Sequence, residues 1–296
     1  SVWLTDNLKT KVYQDKLAYW KTVFSETIPV LELPTYQARP IKKTYNGCVY
    51  NHKFSSTFIQ GVNTFAKEHQ MTLFMMLLGS INGVFSKYTG QTDITLGTTV
   101  AGRSNDQLAH EIGLFSKALP IRTKFASNDS FLALLKQQKS TLLKAYENKE
   151  YPFTEFVKQL SIPKDQSRSP LFDIMVLLQN HRALEINDEK EVQGIKTSIY
   201  DEIERGVSQQ DITFIFEEKG TALELNVEYN TDLFQEDFIV QFISHFENFT
   251  SNGLQQPETT VEELTIISER EKLKILSEFN TETVSHTKET TVLELL

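Results

Sequence analysis

Apolar positions along this chain change period several times, and each change marks an element. Residues up to Tyr19-Trp20-Lys21 carry a helical pattern that ends before Pro29. Val30-Leu31-Glu32-Leu33-Pro34 and the polar stretch to Arg39-Pro40 read as an extended connector, since a proline pushes the residue before it out of the helical region. Ser55 and Ser56 are placed to cap a helix whose Phe58, Val62, Phe65 and Ala66 share one face. Thr72 opens another helix, and its Leu73–Leu78 run is apolar all round, which predicts deep burial. Thr89-Gly90-Gln91 ends it.

Period-2 alternation follows. Ile94, Leu96 and Thr98 predict one strand, and Leu119, Ile121 and Phe125 a second. Asp129 or Ser130 caps a helix carrying Phe131, Leu135, Leu142 and Tyr146 on one side. Pro152 admits a short helix through Leu160, because proline is tolerated in a first turn. Phe172–Leu178 is nearly continuous apolar sequence, predicting a central strand covered on both faces. Ile212, Phe214 and Phe216 alternate up to a Lys219-Gly220 turn, and Leu223, Leu225, Val227 and Tyr229 alternate after it, which predicts a hairpin. Phe238, Phe242, Phe246 and Phe249, flanked by Ile239 and Ile243, predict an amphipathic helix. From about Pro257 the chain turns polar, with a short helix beginning near Glu269. Helices and strands that alternate and close on a hairpin and a helix predict an α/β (α+β) fold, a mixed β-sheet with helices packed mainly on one face.

The composition, 40% apolar and 11% aromatic, is enough for a sizeable core. A net charge of −9 argues against a general nucleic-acid or anionic-membrane surface, and no run of Lys and Arg announces a local one. Cys48 is the single cysteine, which excludes an intrachain disulfide and a thiolate-rich zinc site and fits a reducing cytoplasm. No apolar stretch is long enough to span a bilayer; the richest, Leu73–Phe85, is interrupted by Gly79, Ser80, Asn82 and Gly83. No signal peptide is visible, and a chain that opens on Ser is expected to be a fragment or a processed product.

Three segments carry a family resemblance. Ile112-Gly113-Leu114-Phe115-Ser116-Lys117-Ala118-Leu119-Pro120-Ile121-Arg122 is similar to the "IGxFVNTLPLR" segment of condensation domains in non-ribosomal peptide synthetases. Asn148 to Glu155, with Tyr151-Pro152-Phe153 at its centre, resembles "HQDYPFE". Ser167-Arg168-Ser169-Pro170-Leu171-Phe172-Asp173 through Gln179-Asn180 resembles "RDxSRNPLFD…LQN". All three stand in the family's order. Trp3 matches the tryptophan of the family's "DYAVW" motif, which follows the catalytic motif in complete domains. The resemblance therefore implies the second half of the domain, one lobe of the chloramphenicol-acetyltransferase-like two-lobe fold, with the first lobe missing. In that fold a tunnel between the lobes admits phosphopantetheine arms. The implied layout is the end of the first lobe and the connector at 1–40, the second lobe at 41–256, a linker at 257–285 and the start of an adenylation domain at 286–296.

The family's catalytic "HHxxxDG" is absent, and none of the six histidines has a histidine neighbour. No Gly-x-Ser-x-Gly elbow, HExxH pair or Walker loop replaces it. Gly97–Arg103 lacks a Gly-Lys-Ser/Thr ending, resembles the family's "iGtpvaGR" turn, and predicts glycines used for tight turning. No Gly-Gly-x-Ser attachment site makes the chain itself a carrier. The resemblance makes Trp3, Lys117, Asp211 and Gln179 candidates near the tunnel; Lys117 replaces the family's usual Asn. Gly113, Phe115, Pro120, Arg122, Tyr151, Pro152, Phe153, Arg168, Pro170 and Leu171 are expected to be structural. No catalytic residue, metal or bound cofactor is expected in this chain. Its implied partners are the first lobe, carrier proteins whose phosphopantetheine arms are substrates, and an adjoining adenylation domain. The implied reaction is amide formation between a carrier-bound acyl thioester and a carrier-bound aminoacyl acceptor. The alternatives are a non-catalytic carrier-docking or scaffold module and an epimerization-domain relative; the Leu119-Pro120-Ile121-Arg122 ending and the adenylation-like tail speak against the latter.

Overall fold

The computed structural model describes residues 8–102, 112–113, 115–160, 162, 165–179, 190–192, 195–197 and 206–277. Trp3, His110, His181, His286, the tail from 278 and the adenylation-like start all lie outside the described residues.

Local capping chemistry sets most helix boundaries. Helix α1 (Lys11–Val23) buries Tyr13, Leu17 and Trp20 along one stripe. Helix α2 (Ser56–Glu68) starts where Ser55 accepts a hydrogen bond from the Phe58 N–H, and α3 (Leu73–Thr89) where Thr72 accepts one from Met75. Helix α4 (Phe131–Glu147) is capped by Ser130, which accepts from the Ala133 N–H. The short α5 (Phe153–Gln159) takes Pro152 as its N-cap, one position before the expected first turn. Helices α6 (Glu236–Gln255) and α7 (Glu269–Ser277) close the described chain.

The main sheet has six strands: β1 (Gly47–Lys53), β2 (Asp93–Val100), β3 (Lys117–Lys124), β4 (Ile174–Gln179), β7 (Ile212–Lys219) and β8 (Ala222–Asn230), in the order β1-β8-β7-β4-β2-β3. Strands β2, β4 and β7 run parallel, and the other neighbouring pairs are antiparallel. A separate hairpin joins β5 (Lys190–Val192) and β6 (Ile195–Thr197). Neither β1 nor this hairpin was expected from the sequence.

One face of the main sheet carries α2, α3, α4 and α6. Phe214 of β7 lies with its ring centroid 5.1 Å from Phe242 of α6, which in turn is 5.1 Å from Phe85 of α3; all three are fully buried. Helix α3 reaches this position because Gly83 lets the Phe249 ring in: a Cβ there would stand 2.3 Å from it. Beyond α6, Val261 and Leu264 are buried in the same core.

Two expectations are corrected. Strand β4 is central but is not covered on both faces: Ile174 and Val176 are buried, whereas Met175, Leu177 and Leu178 are only half-buried. Its apolar run fills the helix side with alternate residues, and the described residues leave the other side of this strand partly open. Gly97 is not a turn glycine either. It lies inside β2, opposite Pro120, where an added Cβ would meet the Phe172 ring at 2.2 Å, so close packing demands it.

Candidate functional site

Because β2, β4 and β7 run parallel, their carboxyl ends share one end of the sheet. Strand β3 runs back from there, so Lys117, paired with Val100, joins Gln179, paired with Glu217, at that end. Ligand sites in open α/β sheets gather at the carboxyl ends of parallel strands. A groove of about 410 Å³ opens here. Thr98 and Thr99 of β2, Leu177 and Leu178 of β4, and Glu218 of β7 line it from the sheet. The first residues of α3, Thr72 to Phe74, and Tyr146 of α4 line it from the helix layer.

The Lys117 side chain does not stand free in this region. Its Nζ donates to the Glu150 carbonyl oxygen at 3.3 Å. Burial pushes its pKa below the ordinary lysine value, against the opposing pull of the Glu150 carboxylate. That carboxylate is bound by Lys16 of α1 at 2.8 Å, and the Trp20 indole donates to the Asn148 carbonyl at 3.1 Å. The turn at 147–151 is thus clamped between α1 and the start of β3.

Asp211 lies at the opposite end of the sheet, one residue before β7. It is almost fully buried and ion-paired with Arg39, whose Nη1 also donates to the Ser167 carbonyl at 3.2 Å. Burial lifts the Asp211 carboxyl above its ordinary range, outweighing the lowering by Arg39. Asp211 therefore sits with the connector and not with Lys117 and Gln179. Beside it a second, wider cleft of about 820 Å³ is lined by Lys43, Tyr45, Arg168, Ser169, Pro170 and Gln210, among others. Lys43 hydrogen-bonds Ser169 and reaches Gln210 Oε1 at 3.4 Å; burial lowers its pKa. Arg168 donates to Asp173 at 2.8 Å and to Glu32 at 3.1 Å, bridging the connector to the entrance of β4.

The remaining motif residues hold elements together. Arg122 is buried and makes a bidentate pair with Asp93 at 2.8 and 2.6 Å, while donating to the Val23 and Thr27 carbonyls at 3.0 and 2.8 Å. It fastens the end of α1 to the sheet. The buried Tyr151 hydroxyl accepts from Gln159 Nε2 at 2.9 Å, and burial raises its pKa. The Phe153 ring lies 5.7 Å from that of Phe172. Leu171, between Pro170 and Phe172, takes a left-handed φ of 71°. Gly113 is exposed, and Phe115 is half-buried ahead of β3.

No described histidine has a histidine partner. His245 is buried between Tyr88, at 2.7 Å, and Glu271, at 2.9 Å, where it ties α7 to α6 and α3. Among the described residues no three His, Cys, Asp or Glu side chains gather to hold a metal, and no helix is long and apolar enough to cross a membrane. Sequence reasoning gave no place in either cleft to Lys43, Tyr146 or Glu218, and named Tyr146 only as part of a helix face. The one signal for Glu218 is that it continues the alternating row Ile212, Phe214, Phe216.

The chain is 37% identical over 282 residues to gramicidin S synthase 2 of Brevibacillus brevis, which covers 95% of this chain and 6% of that protein. It is 32% identical to bacitracin synthase 1 of Bacillus licheniformis over 99% of this chain and 6% of the relative. It thus spans only a small part of these curated relatives. Its fold matches that of a four-domain nonribosomal peptide synthetase bound to AMP and glycine, with a TM-score of 0.79 at 21% identity over 87% of this chain and 20% of the other. It also matches the first condensation domain of the CDA synthetase, with a TM-score of 0.66 at 15% identity over 90% of this chain and 55% of that domain's chain. The family model for the condensation domain matches residues 1–276, and the chain belongs to the condensation-domain family of non-ribosomal peptide synthetases.

Proposed function

We propose that this chain supplies the C-terminal lobe of an amide-forming condensation domain. The observation that carries this reading is coverage: 90% of this chain corresponds to only 55% of a solved condensation domain, and the described residues build a single main sheet. The order of the sequence motifs and the absence of HHxxxDG support the same assignment. In the complete domain an acceptor amine attacks the carbonyl of a carrier-bound thioester, a tetrahedral oxyanion forms, and the carrier thiol leaves. Holding both carriers' phosphopantetheine arms in line supplies proximity, and donors aimed at the oxyanion stabilise it.

On this reading the carboxyl end of the sheet, with Lys117, Gln179 and the groove, faces the reaction tunnel. Asp211 and Arg39 tie the inter-lobe connector. Carrier proteins, the first lobe and an adjoining adenylation domain are the partners, in the reducing cytoplasm that a single cysteine suits. The test supplies donor- and acceptor-loaded carriers to this chain with and without a separately expressed HHxxxDG lobe, and mass spectrometry reads the condensed product. Product is expected only when both lobes are present. Product from this chain alone overturns the assignment, and carrier binding without product from the pair favours the docking-module reading.

A further inference from the structure

We propose that Glu218 makes the groove at the carboxyl end of the sheet a recognition site for a protonated amine or guanidinium on an aliphatic stem. That the cation belongs to an aminoacyl or acyl substrate rests on the amide-forming reading above.

Strand β7 sends Ile212, Phe214 and Phe216 into the core by period-2 alternation, and Glu218 is the next residue on that side. A carboxylate thus ends the row where the core opens into the groove. It is the one charged side chain among the described lining residues. Its neighbours have partners: Glu217 receives Asn226 at 3.1 Å and Lys219 at 3.5 Å, and Glu224 receives the same Lys219 at 2.7 Å. The Glu218 carboxylate has no hydrogen bond or ion pair among the described residues.

The rest of the groove suits a cation on a carbon chain. Leu73 and Leu178 offer apolar wall for methylene groups, and Thr98 and Tyr146 add hydroxyl-bearing residues to the lining. A volume of about 410 Å³ accommodates a long side chain with its head group. The start of α3 also borders the groove. Thr72 already caps the Met75 N–H there, and an anion entering the groove meets the carboxylate. Glu218 is exposed, so the discrimination is that of a solvent-accessible ion pair, about fivefold in affinity.

The experiment titrates the whole chain with N-acetyl-lysine methylamide and with its neutral isostere N-acetyl-norleucine methylamide, followed by NMR. The lysine probe is expected to bind about fivefold more tightly. The preference should vanish in Glu218→Gln and at high salt. Equal affinity for the two probes, no binding of either, or a preference that survives Glu218→Gln overturns the proposal. Condensation by the two-lobed domain is scored separately. Its failure with the lysine preference intact removes the amide-forming reading and leaves the recognition site standing; the opposite pair of results does the reverse.

Discussion

Replacing Arg39 and Asp211 singly and together measures how firmly the connector is tied to the sheet. The side chains are 18% and 4% exposed, and Arg39 Nη1 lies 3.2 Å from Asp211 Oδ1. At an effective dielectric of about 20, opposite charges at about 4 Å attract by about 4 kcal/mol. Desolvation of the carboxylate offsets part of this, and partial hydration of Arg39 screens some of the rest. A coupling of about 2 kcal/mol at pH 7 is therefore expected from the cycle of Arg39→Met, Asp211→Asn and the double variant, read by urea unfolding. The pH dependence carries a sign. The attraction exists only while Asp211 is ionised, and burial has raised its folded pKa above the ordinary value. The raised pKa by itself makes stability fall as pH rises from the unfolded value through the folded one, because the native state holds the proton longer. The coupling runs the other way: it is full above the folded pKa and disappears as pH drops through it. A coupling below about 0.5 kcal/mol at pH 7, within the additivity of independent sites, would refute the assignment of this pair to the connector.

Gln70 occupies the left-handed position after α2, with φ of 54°, while Met71 N–H bonds the Ala66 carbonyl at 2.7 Å and Gln70 N–H the Lys67 carbonyl at 3.2 Å. That is a Schellman end, so Gln70→Gly should stabilise the chain by about 1 kcal/mol in thermal or urea unfolding, and a loss of stability would contradict it. Gly83→Ala should destabilise by about 2 kcal/mol despite the better helix propensity, because its Cβ meets the fully buried Phe249 ring; an unchanged urea midpoint would mean that α3 and α6 shift freely. Lys117→Asn in a two-lobed domain should change the condensation rate more than about tenfold while stability stays within about 1 kcal/mol, since Asn is too short to reach the Glu150 carbonyl. An unchanged rate assigns Lys117 to the α1 clamp alone.

What the sequence determined by itself is what short-range physics writes into it. Ser55, Thr72 and Ser130 mark helix starts because a cap joins residues three apart. The Lys219-Gly220 turn and the alternation on either side of it specify a hairpin without help from elsewhere. The three motifs, each contained within about a dozen residues, were enough to point to the family.

Tertiary structure alone decided the rest. Strand β1 pairs residues 47–53 with 224–230, and most of its side chains are exposed or half-buried, so no alternation of apolar residues announces it. The open side of β4 cannot be read from Phe172–Leu178, because an apolar run has the same composition whether one face or both are covered. Gly97 looks like a turn residue until Phe172, far along the chain, is seen lying against it. Asp211 and Lys117 both stood as candidates near the tunnel. Strand direction then sent them to opposite ends of the sheet, and Arg39, 172 residues from Asp211, explains its burial. The groove belongs to no segment: it exists because three parallel strands end together under the start of α3. Such a site depends on contacts distant in sequence, which local propensity does not encode.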